Sequence, residues 1–229
     1  MKSKTRSISG GLMMLAIIPV IIGLLACMKV PIGNPERSRI DPELSGLWTL
    51  QGPDGDMGGI ILLDPYDKRT WLGIMVEPHM EKTATTDKYD DYTYEGLVAA
   101  MQEQSIQSPL VTADEVALYK IWLTKLGGEQ FMVWQPKGFY NEGEFGAEYA
   151  YNYRIDKHNE SSFDLHMIDM DHPWFKGVDD KDRKALEKVI RKHASDAALY
   201  FEGVFAFKRV DPEHADLLGD LIYDLLVVE

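Results

Sequence analysis

The 229-residue chain has a single cysteine, Cys27. No intramolecular disulfide can form, so a folded domain must draw its stability from buried apolar surface. Positive charge is scarce as well: 24 lysines and arginines stand against 37 aspartates and glutamates, a net charge of −13. A surface of that sign is repelled by nucleic acid, which argues against a nucleic-acid partner, and by anionic head groups. The longest apolar stretch, Leu12 to Leu25, is shorter than the roughly 20 residues a spanning helix needs and is interrupted by Pro19 and Gly23. Nucleophile elbow, phosphate loop, dinucleotide fingerprint and two-histidine zinc helix are all missing, so no enzyme activity, metal or cofactor is expected. No internal repeat or low-complexity segment is present.

What the chain does have begins at its N-terminus. Lys2, Lys4 and Arg6 form a basic head, an apolar stretch follows, and Ala26 is a small residue directly before Cys27. That order is a secretory signal with the cysteine at its cleavage point. Leu24-Leu25-Ala26-Cys27 resembles the lipobox of bacterial lipoproteins. The resemblance implies a signal peptide over residues 1–26, acylation of Cys27 with palmitate-like chains, and contact with the membrane through that lipid anchor. Met28, which is not Asp, implies within the same resemblance the periplasmic face of the outer membrane. At about 0.8 kcal/mol per buried methylene, several acyl chains hold a domain far more firmly than one. Residues 27–42, with Pro31, Pro35 and Pro42 amid alternating charge, read as the lipidated cysteine and an extended tether, and residues 43–229 as a single domain.

Within that domain the periodicity is mostly that of strands. Runs at 46–51, 58–64, 69–76, 116–125, 129–135, 147–155, 162–169 and 200–210 read as strands joined largely by hairpins. The second and third are apolar on both alternating faces, Ile60 and Leu62 against Ile61 and Leu63, so something must cover the sheet from outside. Residues 112–126 carry two signals. Thr112 to Glu115 has the form of a helix capping box with a helical stripe behind it. Tyr119 to Thr124 is β-branched and aromatic, and Gly127-Gly128 joins it to a similar run, which favours a hairpin. Short helices are expected at 95–104 and 181–193, the second capped by Asp179 or Asp180. A final helix from Pro212 presents Leu217, Leu218, Leu221, Ile222, Leu225 and Leu226 on one face and is the natural cover for the strands.

These elements make a mainly β domain with helices, an antiparallel eight-stranded barrel with two inserted helices and a C-terminal covering helix. Gly46-Leu47-Trp48 at its start and Arg209 near its end resemble the Gly-x-Trp opening and late arginine of lipocalins and their calycin relatives. That resemblance implies that Arg209 stacks on Trp48 and closes one barrel end, and that the barrel carries a small apolar ligand. The aromatic residues Trp48, Trp71, Trp122, Tyr149, Tyr151 and Tyr153 are the candidate ligand-binding set, although a filled core with a tyrosine ladder is the favoured account of them. The acidic surface and the 77–111 insertion suit the alternative, a module that binds an envelope protein without any ligand cavity.

Overall fold

Residues 28–80, 93–103, 111–139 and 149–226 are described in the computed structural model. Eight strands, β1 (Gly46–Gln51), β2 (Met57–Pro65), β3 (Thr70–Met80), β4 (Val111–Leu126), β5 (Glu129–Phe139), β6 (Tyr151–Asn159), β7 (Ser162–Met167) and β8 (Phe205–Arg209), pair in chain order, and β8 returns to β1. Every neighbouring pair is antiparallel. The sheet therefore closes into a lipocalin-like barrel with no free edge. Among the described residues three α-helices accompany it: α1 (Tyr94–Glu103) and α2 (Arg183–His193) as insertions, and α3 (Pro212–Leu226) at the C-terminal end. Among the described residues, no helix is long and apolar enough to cross a membrane.

The hairpin reading of residues 112–135 is the one adopted. Gly127 and Gly128 both take positive φ, +62° and +95°, the two-residue turn geometry that matches the twist of the flanking strands. Gly127 has a second reason to be glycine: a Cβ there would lie 2.5 Å from the Arg191 carbonyl oxygen of α2.

Strand alternation divides the apolar residues into three layers. Inside the barrel lie Trp48, Ile61, Leu63, Trp71, Ile121, Met132, Phe163 and Phe207 among others. On one outer face, Ile60, Ile74, Val76 and Val116 are covered by Leu97 and Met101 of α1 and by Leu218, Leu221 and Ile222 of α3. The terminal helix is thus the expected external cover, at about 1.5–3 kcal/mol for each fully buried aliphatic side chain. Gly219 of this helix does not need to be small for the packing, since a Cβ there would meet nothing within 4 Å.

The third layer was not expected. Trp122, Phe131, Val133 and Ala150 face outward from β4 to β6 and are covered by Met28, Ile32, Leu186, Ile190 and Leu199. The segment expected as an extended tether is therefore packed along the barrel. Met28 and Ala150 exchange backbone hydrogen bonds of 3.1 and 2.7 Å, the Ile32 amide donates to Asn152 Oδ1 at 3.2 Å, and Trp122 Nε1 donates to the Ile32 carbonyl at 3.2 Å. Proline-rich composition reads locally as a spacer, but an uncovered apolar barrel wall supplies a tertiary partner.

Smaller differences have local causes. The cap of α2 is Asp182, whose Oδ1 accepts from the Lys184 and Ala185 amides at 3.0 and 3.1 Å. Asp179 closes the preceding turn through the Lys181 amide, and Asp180 pairs with Lys29 at 2.8 Å. The last strand is confined to Phe205–Arg209 because Ala197–Leu199 forms a short 3-10 turn, with Tyr200 as its cap. β6 continues to Asn159, and its turn is Glu160-Ser161. Residues 1–26, expected as a signal peptide, together with Cys27, most of the loop after β3, the glycine-rich loop before Tyr149, and Val227 and Val228, lie outside the described residues.

Candidate functional site at the upper mouth of the barrel

The two barrel ends differ chemically. At the lower end, where β1 begins, the 3-10 turn Pro42–Leu44 crosses the opening, with Leu44 buried in the interior. Trp48 Nε1 donates to the Leu44 carbonyl and Trp71 Nε1 to Ser45 Oγ, both at 2.9 Å. Above them, Phe163 and Phe207 stack with ring centroids 4.6 Å apart, and Trp48 meets Phe163 edge-on at 4.8 Å. Trp48, Trp71, Phe163 and Phe207 are each no more than 1% exposed, so this part of the interior offers a ligand no surface.

Arg209 closes the plug from below. Its guanidinium lies 4.2 Å from the Trp48 ring centroid, with Nη1 donating to the Ser45 carbonyl at 2.9 Å, Nε to the Glu160 carbonyl at 3.0 Å and Nη2 to the Glu43 carbonyl. Gly46 sits at φ +121°, and a Cβ there would lie 2.7 Å from Arg209 Nη1. The glycine, the tryptophan and the arginine are one mechanical unit.

Toward the upper end the aromatic packing continues but opens. Trp134 meets Phe207 at 5.9 Å, Tyr119 at 5.4 Å and Tyr153 at 5.8 Å. Tyr153 leads to Phe205 at 6.0 Å and to Tyr151 at 6.4 Å, and Tyr151 to Tyr149 at 5.8 Å. Tyr119, Tyr149, Tyr151 and Phe205 are half-buried. Trp134 Nε1 is buried and has no hydrogen-bond partner among the described residues. Leaving such a donor unmet costs about 1–3 kcal/mol.

The six aromatic residues expected to bind a ligand are not brought together. Tyr149, Tyr151 and Tyr153 stand at the mouth. Trp48 and Trp71 serve the lower plug, and Trp122 lies on the outer wall beneath Ile32. Trp134, Tyr119 and Phe205 were missed as site residues. The alternation that places Met132 and Ile121 inward also points Trp134 and Tyr119 inward, so the signal was there; register with β6 was needed to see that they meet the tyrosines.

The Asp- and His-rich stretch after residue 163 forms surface pairs. His158 Nε2 lies 2.9 Å from Asp164 Oδ2, and His166 Nε2 lies 3.0 Å from Asp156 Oδ2, which also accepts from Arg154 at 2.8 Å. Asp169 Oδ1 accepts the Asp171 amide at 3.0 Å, so those carboxylates shape turns. Among the described residues, those placed to hold a cation are Asp211, Glu213 and His214, with ligand atoms within 4.8 Å of one another, although His214 Nδ1 is engaged by the Tyr94 hydroxyl at 2.9 Å. Tyr94 is held above the usual tyrosine pKa, first by burial and then by the charges of Asp211, Glu213 and Glu95.

No family model matches the chain, and neither does a curated protein or a solved structure. The class is therefore defined by fold and geometry alone: a lipocalin-like barrel plugged at one end, with an aromatic mouth at the other.

Proposed function

We propose that the chain is an outer-membrane lipoprotein, anchored through Cys27, whose barrel binds a small apolar, ring-containing ligand at its upper mouth. The observation that carries the reading is the partnerless Trp134 Nε1 beside half-buried aromatic rings. Flat rings stack on aromatic side chains, and one acceptor on the ligand satisfies the buried donor. Close packing of Trp48, Phe163 and Phe207 stops a long acyl chain from threading the barrel, so the ligand is short. Because Met28 is fully buried, a lipid on Cys27 holds the barrel wall against the bilayer, with adjacent Cα atoms about 3.8 Å apart.

The test uses the lipoprotein purified in nonionic detergent, with emission corrected against protein-free detergent, and the neutral aromatic ketone probe 6-propionyl-2-(dimethylamino)naphthalene, whose carbonyl can accept from Trp134 Nε1. Saturable enhancement of probe emission, lost in Tyr151→Ala, supports the reading; a signal that rises without saturating removes it. For the anchor, Cys27→Ala should release the protein from the membrane fraction and abolish palmitate labelling. Unchanged fractionation means a transmembrane segment instead.

The filled lower barrel also favours a second reading, a module for binding an envelope protein. Tyr66 and Tyr223, 74% and 62% exposed, are the large side chains that such an interface would bury.

A further inference from the structure

The chain is strongly acidic, yet one concavity on its surface has the opposite sign. A cleft of about 590 Å³ lies between residues 33–39, the lower end of the β4–β5 hairpin and α2. Its charged lining is Arg37, Arg39, Lys125, Arg183 and Arg191, with Glu187 the one carboxylate. In a chain with 37 acidic and 24 basic residues, five cations around one carboxylate is a local reversal, not an average sample of the surface.

The nearby carboxylates leave most of these cations unneutralised: Glu187 serves Arg183 alone, and Glu36 is turned to Arg69. Glu187 Oε1 accepts the Gly33 amide at 3.0 Å and lies 3.7 Å from Arg183 Nε, while Arg183 Nη1 donates to the Gly33 carbonyl at 3.2 Å. Glu36, next to Arg37, is bonded to Arg69. Among the described residues, Glu187 makes no ion pair with Arg191, one turn further along α2. Arg37, Arg39, Lys125 and Arg191 consequently have no ion-pair partner among the described residues.

The walls are held in place. Gly33 at φ +70° leaves no room for a Cβ, which would meet Thr124 Oγ1 at 2.5 Å, and Ser38 Oγ accepts the Leu123 amide at 3.0 Å. Arg37 ends the 3-10 turn Pro35–Arg37, and Arg191 sits on a helix whose Leu186 and Ile190 are fully buried. Rigid backbone elements thus bring the cations to one concavity, and guanidinium groups bind phosphate in bidentate fashion.

We propose that this cleft is a binding site for a phosphate-bearing ligand, separate from the aromatic mouth. The volume is that of a small-molecule site, and the number of cations suits more than one negative charge. The phosphate can come from a soluble phosphorylated compound or from a lipid head group, and Gly33 stands only six residues from Cys27. The site does not depend on the mouth or on the lipid.

Calorimetric titration of the detergent-solubilised lipoprotein at low salt, with inorganic pyrophosphate in one arm and phosphatidic acid in mixed micelles in the other, tests it. Saturable binding in either arm, weakened about tenfold or more in Arg37→Gln/Arg191→Gln while the ligand-free unfolding midpoint stays unchanged, supports the site. Binding of pyrophosphate alone assigns a soluble ligand; tighter binding of phosphatidic acid, displaced by pyrophosphate, assigns a head group. If the double variant fails to fold, the exposed Lys125→Gln variant must still weaken binding. Absence of saturable heat in both arms, or heat that these substitutions leave unaltered, overturns the proposal.

Discussion

Arg209 lies over the Trp48 ring at 4.2 Å while donating to three backbone carbonyls, those of Ser45, Glu43 and Glu160. The contact joins the first strand, the last strand, the 3-10 plug and the β6–β7 turn, so the closure of the barrel converges on one side chain.

Arg209→Ala is expected to cost about 2–3 kcal/mol, combining a cation–π contact with charge-assisted hydrogen bonds. Lysine cannot reach three carbonyls from one rigid fork, so Arg209→Lys recovers only a part. Gly46→Ala, which sets a Cβ 2.7 Å from Arg209 Nη1 at φ +121°, is expected to cost about 1–3 kcal/mol. Urea unfolding of the two variants and of the combined variant reads the coupling. The combined cost should fall short of the sum, because removing the arginine removes the clash. Full stability in Arg209→Lys would contradict the account.

The two glycines of the β4–β5 turn separate backbone strain from packing. Gly128→Ala meets open space and pays only for φ +95°, about 1–2 kcal/mol. Gly127→Ala adds overlap with the Arg191 carbonyl at 2.5 Å and the Ala194 Cβ at 2.8 Å. Amide exchange should therefore accelerate across α2 in Gly127→Ala and stay native in Gly128→Ala. Equal exchange in both would show that the turn does not brace the helix.

Alkaline pH should loosen the outer layer at Tyr200. Burial raises its pKa to about 12, against the opposing charge of Arg154, whose guanidinium lies 4.6 Å from the ring centroid. Between pH 10 and 12 the unfolded tyrosine has lost its proton while the folded one keeps it. The folded state then binds more protons, and stability falls as pH rises through that window, by about 1–2 kcal/mol. Denaturant midpoints measured from pH 9 to 12 should show this leg, and Tyr200→Phe should flatten it. A leg of unchanged slope in that variant would place the titration elsewhere.

Trp134→Phe tests the mouth from the side of stability. It deletes a buried donor that has no partner among the described residues while keeping most of the ring, so unfolding free energy should stay within about 1 kcal/mol or rise. Probe affinity should nevertheless fall if the ligand accepts from Nε1. A large loss of stability would mean that the nitrogen is bonded in solution.

Much of the barrel was legible because strand periodicity is local. Ile60 to Leu63 announces a strand apolar on both faces, and Leu218, Leu221 and Ile222 announce the helix that covers it. Gly46, Trp48 and Arg209 were readable as a set only through the resemblance to the Gly-x-Trp opening and late arginine of lipocalins. The site was less legible. Tyr149, Tyr151 and Tyr153 share a face by alternation, but nothing local says that Trp71 would bond to the plug or that Trp122 would face the N-terminal segment. The basic cleft was invisible, since Arg37, Lys125 and Arg191 are far apart in the chain and look like ordinary solvated charges.

The sequence by itself determined the spacing of the strands, the hairpin turn at Gly127-Gly128 and the amphipathic face of α3, because each depends on residues within a few positions of one another. Only the tertiary structure decided that residues 28–44 lie against the barrel, that one end is plugged and the other aromatic, and that scattered arginines surround a common cleft. Those outcomes depend on the register and closure of eight strands, which bring together side chains that the linear order keeps apart.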